Sequence, residues 1–166
     1  MKNFLILLMF FTFNKMVSQE TIEMKETYID NNLVYQSIND KLFTGIAQKK
    51  RKNGHLVYEE EYENGIILSS NLYYNGKEKR VSNKTIYNPN KPLVLLQEHK
   101  YDLKGEIFET VTYNNDGIKI LLEQFEKEKL TYSCQYLGKK KNGIEYCLNK
   151  NGVETQIEYR NGKKVK

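Results

Sequence analysis

Residues 41–77 read KLFTGIAQKKRKNGHLVYEEEYENGIILSSNLYYNGK. Within them, Leu56–Tyr62 and Ile66–Tyr74 are rich in Tyr, Ile, Val and Leu, the side chains that suit a pleated, half-buried surface. Asn-Gly pairs at 53–54, 64–65 and 75–76 bound both runs. Asn-Gly favours type I′ turns, whose two central residues both need φ > 0, and between alternating runs it is a strong hairpin signal. In the first run Leu56, Tyr58 and Tyr62 fall on one side, with Val57, Glu59 and Glu61 on the other. Period-2 alternation of this kind marks a strand with one sheltered face.

The pattern continues to the end of the chain. Asn-Gly recurs at 142–143, 151–152 and 161–162, and Asp-Gly stands at 116–117. Between them lie Glu106–Tyr113, Ile118–Phe125, Leu130–Tyr136, Ile144–Leu148 and Val153–Tyr159. Tyr62, Tyr73, Tyr87, Tyr101, Tyr113, Phe125, Tyr136, Tyr146 and Tyr159 follow one another at intervals of 10 to 14 residues. At 125–128 the turn reads Phe-Glu-Lys-Glu, a repeat that has lost its glycine. One aromatic per strand at a steady period predicts an all-β protein, an extended single-layer antiparallel β-meander of about 9–11 short hairpin-linked strands. A β-sandwich with coincidental spacing is the competing architecture. No segment carries helical periodicity with start and stop signals. Alternation places Tyr58, Tyr62, Tyr73, Tyr132, Tyr136 and Tyr159 as a candidate binding face. The repeat domain spans 31–166, with an irregular segment near 77–100 where Pro89 and Pro92 interrupt the rhythm, since proline cannot donate to a ladder. Residues 19–30 form a polar leader segment or a first edge strand.

At the N-terminus, Lys2 precedes the apolar run Phe4–Phe13, Lys15 ends it, and Ser18 is a small residue at a plausible cleavage point. This is the layout of a signal peptide over 1–18, which predicts an exported protein, periplasmic or secreted. The run is too short to span a bilayer, which takes roughly 20 residues, and no other run approaches that length. Without the leader, 148 of the 166 residues remain, with 24 Lys+Arg against 21 Asp+Glu, so the net charge falls from +5 to +3. A charge so nearly balanced argues against nucleic acid as a partner.

Several residues in 41–77 resemble the MORN-variant repeat family, also described as antitoxin-like repeat proteins. Phe43-Thr44-Gly45, Lys52-Asn53-Gly54, Tyr62-Glu63-Asn64-Gly65 and Tyr73-Tyr74-Asn75-Gly76 match its Tyr/Gly hairpin style. The resemblance extends more loosely over 101–166 and fails over 78–100. It implies a solenoid-like β-meander that acts by binding.

Individual candidate sites are few. Cys134 and Cys147 are the only cysteines, and export makes them a candidate disulfide. Alternation puts Cys134 with Tyr132 and Tyr136, and Cys147 on the side away from Ile144, Tyr146 and Leu148. Bonding them therefore requires a one-residue shift or a bulge in 138–143. His55 and His99 have no nucleophile or paired carboxylate at a catalytic offset and are expected at exposed strand ends. Glu59 and Glu61 alternate away from Glu60, so the three do not make an acid/base pair. No spacing suggests a metal site, and no phosphate-binding glycine loop is present, so no cofactor is expected. The basic runs at 49–52, 77–80 and 139–141, with Lys163, Lys164 and Lys166, read either as solubilising turns or as a dotted basic rim for anionic lipid or polysaccharide. Asn83-Lys84-Thr85 is a glycosylation sequon. The favoured reading is an exported, non-enzymatic module that binds a protein partner or an envelope surface polymer. The alternatives are an antitoxin or immunity protein of a toxin pair, and an envelope polymer hydrolase using acids such as Glu60 or Glu109.

Overall fold

The computed structural model describes residues 19–165, so the leader expected at 1–18 lies outside the described residues. Its elements are β1 (Thr21–Glu23), a 3-10 turn (Met24–Glu26), β2 (Thr27–Asp30), β3 (Leu33–Gln36), β4 (Lys41–Leu42), β5 (Gly45–Lys50), β6 (Leu56–Glu63), β7 (Ile66–Tyr73) and β8 (Val81–Tyr87). They continue with β9 (Leu95–Tyr101), β10 (Ile107–Tyr113), β11 (Lys119–Glu126), β12 (Lys129–Leu137), β13 (Lys140–Leu148), β14 (Glu154–Arg160) and β15 (Lys163–Lys164). Strands β5 to β15 pair in chain order, each antiparallel to the next, and β1 pairs in parallel with β5 to complete a twelve-stranded sheet. Strands β2, β3 and β4 form a separate three-stranded sheet. Strands β5 to β15 thus form a long antiparallel meander.

Two kinds of turn build it. Asn64-Gly65 (φ 49° and 77°) and Asn161-Gly162 (φ 52° and 83°) have left-handed φ at both central residues, as type I′ requires. Lys127-Glu128 closes β11 and β12 with the same backbone (φ 51° and 63°) and no glycine. The loops Arg51–His55, Asp102–Glu106, Asn114–Ile118 and Asn149–Val153 are longer, with an N–H of the first residue bonded to the last carbonyl and the glycine N–H bonded back to the first carbonyl. Asn53-Gly54, Asp116-Gly117 and Asn151-Gly152 therefore do not form the expected two-residue turns. The cause is visible in three of the loops: the Oδ1 of Asp102, Asn114 or Asn149 accepts two backbone N–H groups, satisfying the wider loop. Asn142-Gly143 is not a turn at all. It lies inside β13, where Gly143 (φ 104°) makes room for Gln135, whose Oε1 accepts the Ile144 N–H at 2.8 Å.

Residues 19–30 are folded, with Thr21–Glu23 as the edge strand β1 and Thr27–Asp30 in the small sheet. Residues Val81–Tyr87 and Leu95–Tyr101 form strands β8 and β9 of the main sheet, and the loops 74–80 and 88–94 flank β8, the second holding both prolines.

The core sits at the N-terminal end. The small sheet folds over the β6–β7 hairpin, where the Val34 N–H bonds the Gly65 carbonyl (2.9 Å) and the Gly65 N–H bonds the Phe43 carbonyl (2.8 Å). Val34, Phe43, Ala47, Tyr62 and Ile67 are buried together, with Ile22 and Tyr87 packed against them. Burying side chains as large as Phe43 stabilises by about 2–3 kcal/mol each. Beyond β8 no second layer of described residues covers the sheet, and Cys134 is the one apolar side chain there that is fully buried.

Candidate functional site: two aromatic borders

Each strand from β6 to β12 carries an aromatic as its last or next-to-last residue, and the pairing register slips beside Tyr62, Tyr73, Tyr87, Tyr101, Tyr113, Phe125 and Tyr136. Such bulges twist a strand and re-aim its side chains. Residues paired in register share a face, so the ladder Ala47, Glu60, Ser70, Thr85, Glu98, Val111, Leu122, Cys134, Glu145, Ile157 traces one face across ten strands. Alternation then puts Tyr62, Tyr87, Tyr113, Tyr136 and Tyr159 on this first face, at one border of the sheet. Tyr73, Tyr101 and Phe125 lie on the second face, at the opposite border. The six tyrosines of the candidate binding face are therefore divided: Tyr58, Tyr62, Tyr132, Tyr136 and Tyr159 share the first face, and Tyr73 is on the second. Tyr62 and Tyr73 are buried, at 5% and 6% exposure, and serve packing.

Carboxylates lie among the tyrosines. Glu60 accepts hydrogen bonds from Tyr58 (2.9 Å) and Tyr62 (2.5 Å), Tyr113 donates to Glu98, and Tyr132 donates to Glu145 at 2.7 Å. On the second face Tyr73 donates to Glu59, which also meets Gln48, Asn71 and Lys79. Burial, reinforced by these carboxylates, pushes the Tyr62, Tyr73, Tyr113 and Tyr132 hydroxyls well above the usual phenol range. Burial alone would raise Glu59, but the Tyr73 hydroxyl, the Lys79 charge and the Gln48 amide outweigh it and hold the carboxyl low. The Lys141 ammonium beside Glu145 does the same there. Glu98, Glu145 and Lys119 were not signalled by the sequence, because their partners lie on neighbouring strands whose register it does not give.

Amines alternate with rings along the first border. Lys119 Nζ stands 3.9 Å from the Tyr136 ring centre, and Lys141 Nζ stands 5.1 Å from that of Tyr159. Lys119 itself pairs with Tyr113 across β10 and β11, and Lys141 with Tyr136 across β12 and β13. The border therefore reads Tyr113, Lys119, Tyr136, Lys141, Tyr159, one group per strand.

The residues considered for catalysis are not brought together. Glu60 on β6 and Glu109 on β10 are four strand spacings apart, about 19 Å, whereas glycosidase carboxylates stand about 5–9 Å apart. His99 lies mid-strand on β9 and half-buried, not at an exposed end; its Nδ1 is 3.1 Å from Thr110 Oγ1, and burial, then Lys84, pulls its pKa down. His55 is part-buried beside its loop, with Nε2 unpartnered. Among the described residues no group of three or more His, Cys, Asp or Glu is placed to hold a metal, and no helix is long and apolar enough to cross a membrane.

Both cysteines are free, Cys134 buried and Cys147 exposed. The one-residue shift that a bridge requires is present, and it brings both thiols to the first face. Cys134 nevertheless pairs with Glu145 and Cys147 with Tyr132, so the two are diagonal neighbours. Diagonal positions lie about 7–8 Å apart, beyond the roughly 5.5–6 Å between α-carbons that a disulfide prefers.

No family model and no curated protein matches the chain. Among solved structures, one described as "Crystal structure of GtfA/B complex bound to UDP and GlcNAc" aligns over 81% of this chain and 24% of that chain, at 12% identity and a TM-score of 0.36. The chain thus spans about a quarter of that chain's length, and a likeness this distant bears on neither mechanism nor ligand.

Proposed function

We propose that the protein is an exported, non-enzymatic MORN-like repeat module that binds a protein partner or an envelope surface polymer. The observation that carries this reading is the bare first face beyond β8. There a border of tyrosines and amines is held in place by neighbouring strands but covered by no described residue. Tyrosine supplies large, stiff, amphipathic area at binding surfaces, and a repeating border offers the same contact many times over. The separation of Glu60 from Glu109 weighs against the hydrolase alternative. Retention of envelope components on the immobilised chain tests the proposal. Retention greater than on a charge-matched control protein, and lost on Tyr136→Ala, is the expected outcome; equal retention on the control would sink it.

A further inference from the structure

The first border has a spacing and a charge that select among polymers. Tyr113, Tyr136 and Tyr159 stand on β10, β12 and β14, so successive rings are two strand spacings apart, about 9.6 Å. Lys119 and Lys141, on β11 and β13, repeat at the same interval. Between Tyr113 and Tyr136 lies an open groove of about 490 Å³, walled by Ile118 and bordered by Lys119 and Lys139. Clefts that take small ligands run from roughly 300 to 1,000 Å³, so the groove has room for a sugar or two. Among the described residues neither Lys119 nor Lys139 forms an ion pair.

We propose that this border binds an extended acidic polysaccharide carrying one carboxylate for every two sugars. A stretched chain built on a disaccharide repeat brings the same sugar back at every second position, at close to the interval of the tyrosines. Sugar C–H faces pack on the rings and on Ile118, as amphipathic aromatics allow. One carboxylate meets Lys119, which has no acid of its own among the described residues, and the next meets Lys141, whose ammonium Glu145 already shares; charge-assisted bonds to such groups are the stronger kind. A single lipid headgroup would use one such position and leave the periodicity unexplained. Nucleic acid carries its charges much more closely than one per two strand spacings.

This inference rests on the binding-module reading and is tested separately from it. The full chain is titrated with hyaluronan oligosaccharides, with cellohexaose as a neutral chain and with a single-stranded oligonucleotide of equal charge. Hyaluronan is expected to bind, cellohexaose about tenfold more weakly, and the oligonucleotide no better than cellohexaose. Tyr136→Ala is expected to weaken hyaluronan binding about tenfold, Lys119→Gln to weaken it and reduce its salt dependence, and Phe125→Ala on the opposite border to leave it unchanged. If Tyr136→Ala fails to fold, Lys119→Gln carries the test. Equal binding of cellohexaose, tighter binding of the oligonucleotide, or a loss on Phe125→Ala as large as on Lys119→Gln would each overturn the proposal. If hyaluronan is ignored while envelope material is still retained on the immobilised chain, the polysaccharide is overturned and the binding module stands; if neither is retained, both fall.

Discussion

The turn at Lys127-Glu128 offers a sharp stability test, because it asks two ordinary side chains to do what Asn-Gly does elsewhere in the chain. Both residues have left-handed φ, 51° and 63°, and both side chains are exposed. Left-handed backbone costs an L-residue about 1–2 kcal/mol. Glu128→Gly removes that cost at one position and gives back about 0.4–1 kcal/mol through the greater freedom of glycine in the unfolded chain. The balance is a gain of about 1 kcal/mol, which for a chain of this size raises Tm by about 2–4 °C. Adding Lys127→Asn should extend the gain. Urea and thermal unfolding followed by far-ultraviolet circular dichroism measure it, with an unchanged m-value showing that the folded state is what moved. Gly65→Ala in the Asn64-Gly65 turn is the opposite control. Its φ is +77°, and a Cβ there would lie 2.7 Å from Leu42 Cδ2 and 2.9 Å from the Val34 carbonyl oxygen, so a loss of at least about 2 kcal/mol is expected. A Glu128→Gly variant with an unchanged or lowered midpoint would refute the reasoning, since no strain would then be stored at that turn.

Phe43→Ala, which hollows the N-terminal core, should cost about 3–5 kcal/mol by urea titration, while Val153→Ala in an exposed loop should cost under about 0.5 kcal/mol. Glu59, Glu109 and Glu145 have carboxyls held below the usual value in the folded chain. Their stabilisation is present above the unfolded glutamate pKa of about 4.3 and is lost as pH falls through the lower folded values, so the urea midpoint should drop on acidification, and drop less steeply in Glu59→Gln. A native chain treated with a thiol reagent should take up one label, at Cys147, and a second at Cys134 only after unfolding; failure to take up any label without reductant would show a bridge in its place.

The strands were legible because their signals are local. Asn-Gly and Asp-Gly, and the alternation of runs such as Leu56–Tyr62, depend on residues a few positions apart. What lay hidden was settled between strands. The register slips beside Tyr62, Tyr73, Tyr87, Tyr101, Tyr113, Phe125 and Tyr136 cannot be read from either strand alone, so the tyrosines looked like a single face when the fold deals them to two. The same register places Cys147 opposite Tyr132 and brings Glu145 under the Tyr132 hydroxyl, although Ile144, Tyr146 and Leu148 suggested the other orientation. Asn142-Gly143 misled for a related reason: its glycine is needed where Gln135 crosses a bulge, and Gly138 stands in the neighbouring turn, which needs only its first central residue at positive φ (62°).

The dealing of aromatics to alternate borders also fixes how such a chain can change length. One strand carries the ring to the first face, the next to the second. Loss or gain of a single strand would exchange the two faces for everything downstream, placing Tyr113, Tyr136 and Tyr159 where Phe125 now stands and breaking the run of interleaved amines. Two strands added or removed together, about one Tyr62-to-Tyr87 interval, would leave both borders in phase. The heritable unit of growth in this architecture is therefore the pair of strands, and a shortened or lengthened form that keeps the border in working order should differ from this one by whole pairs.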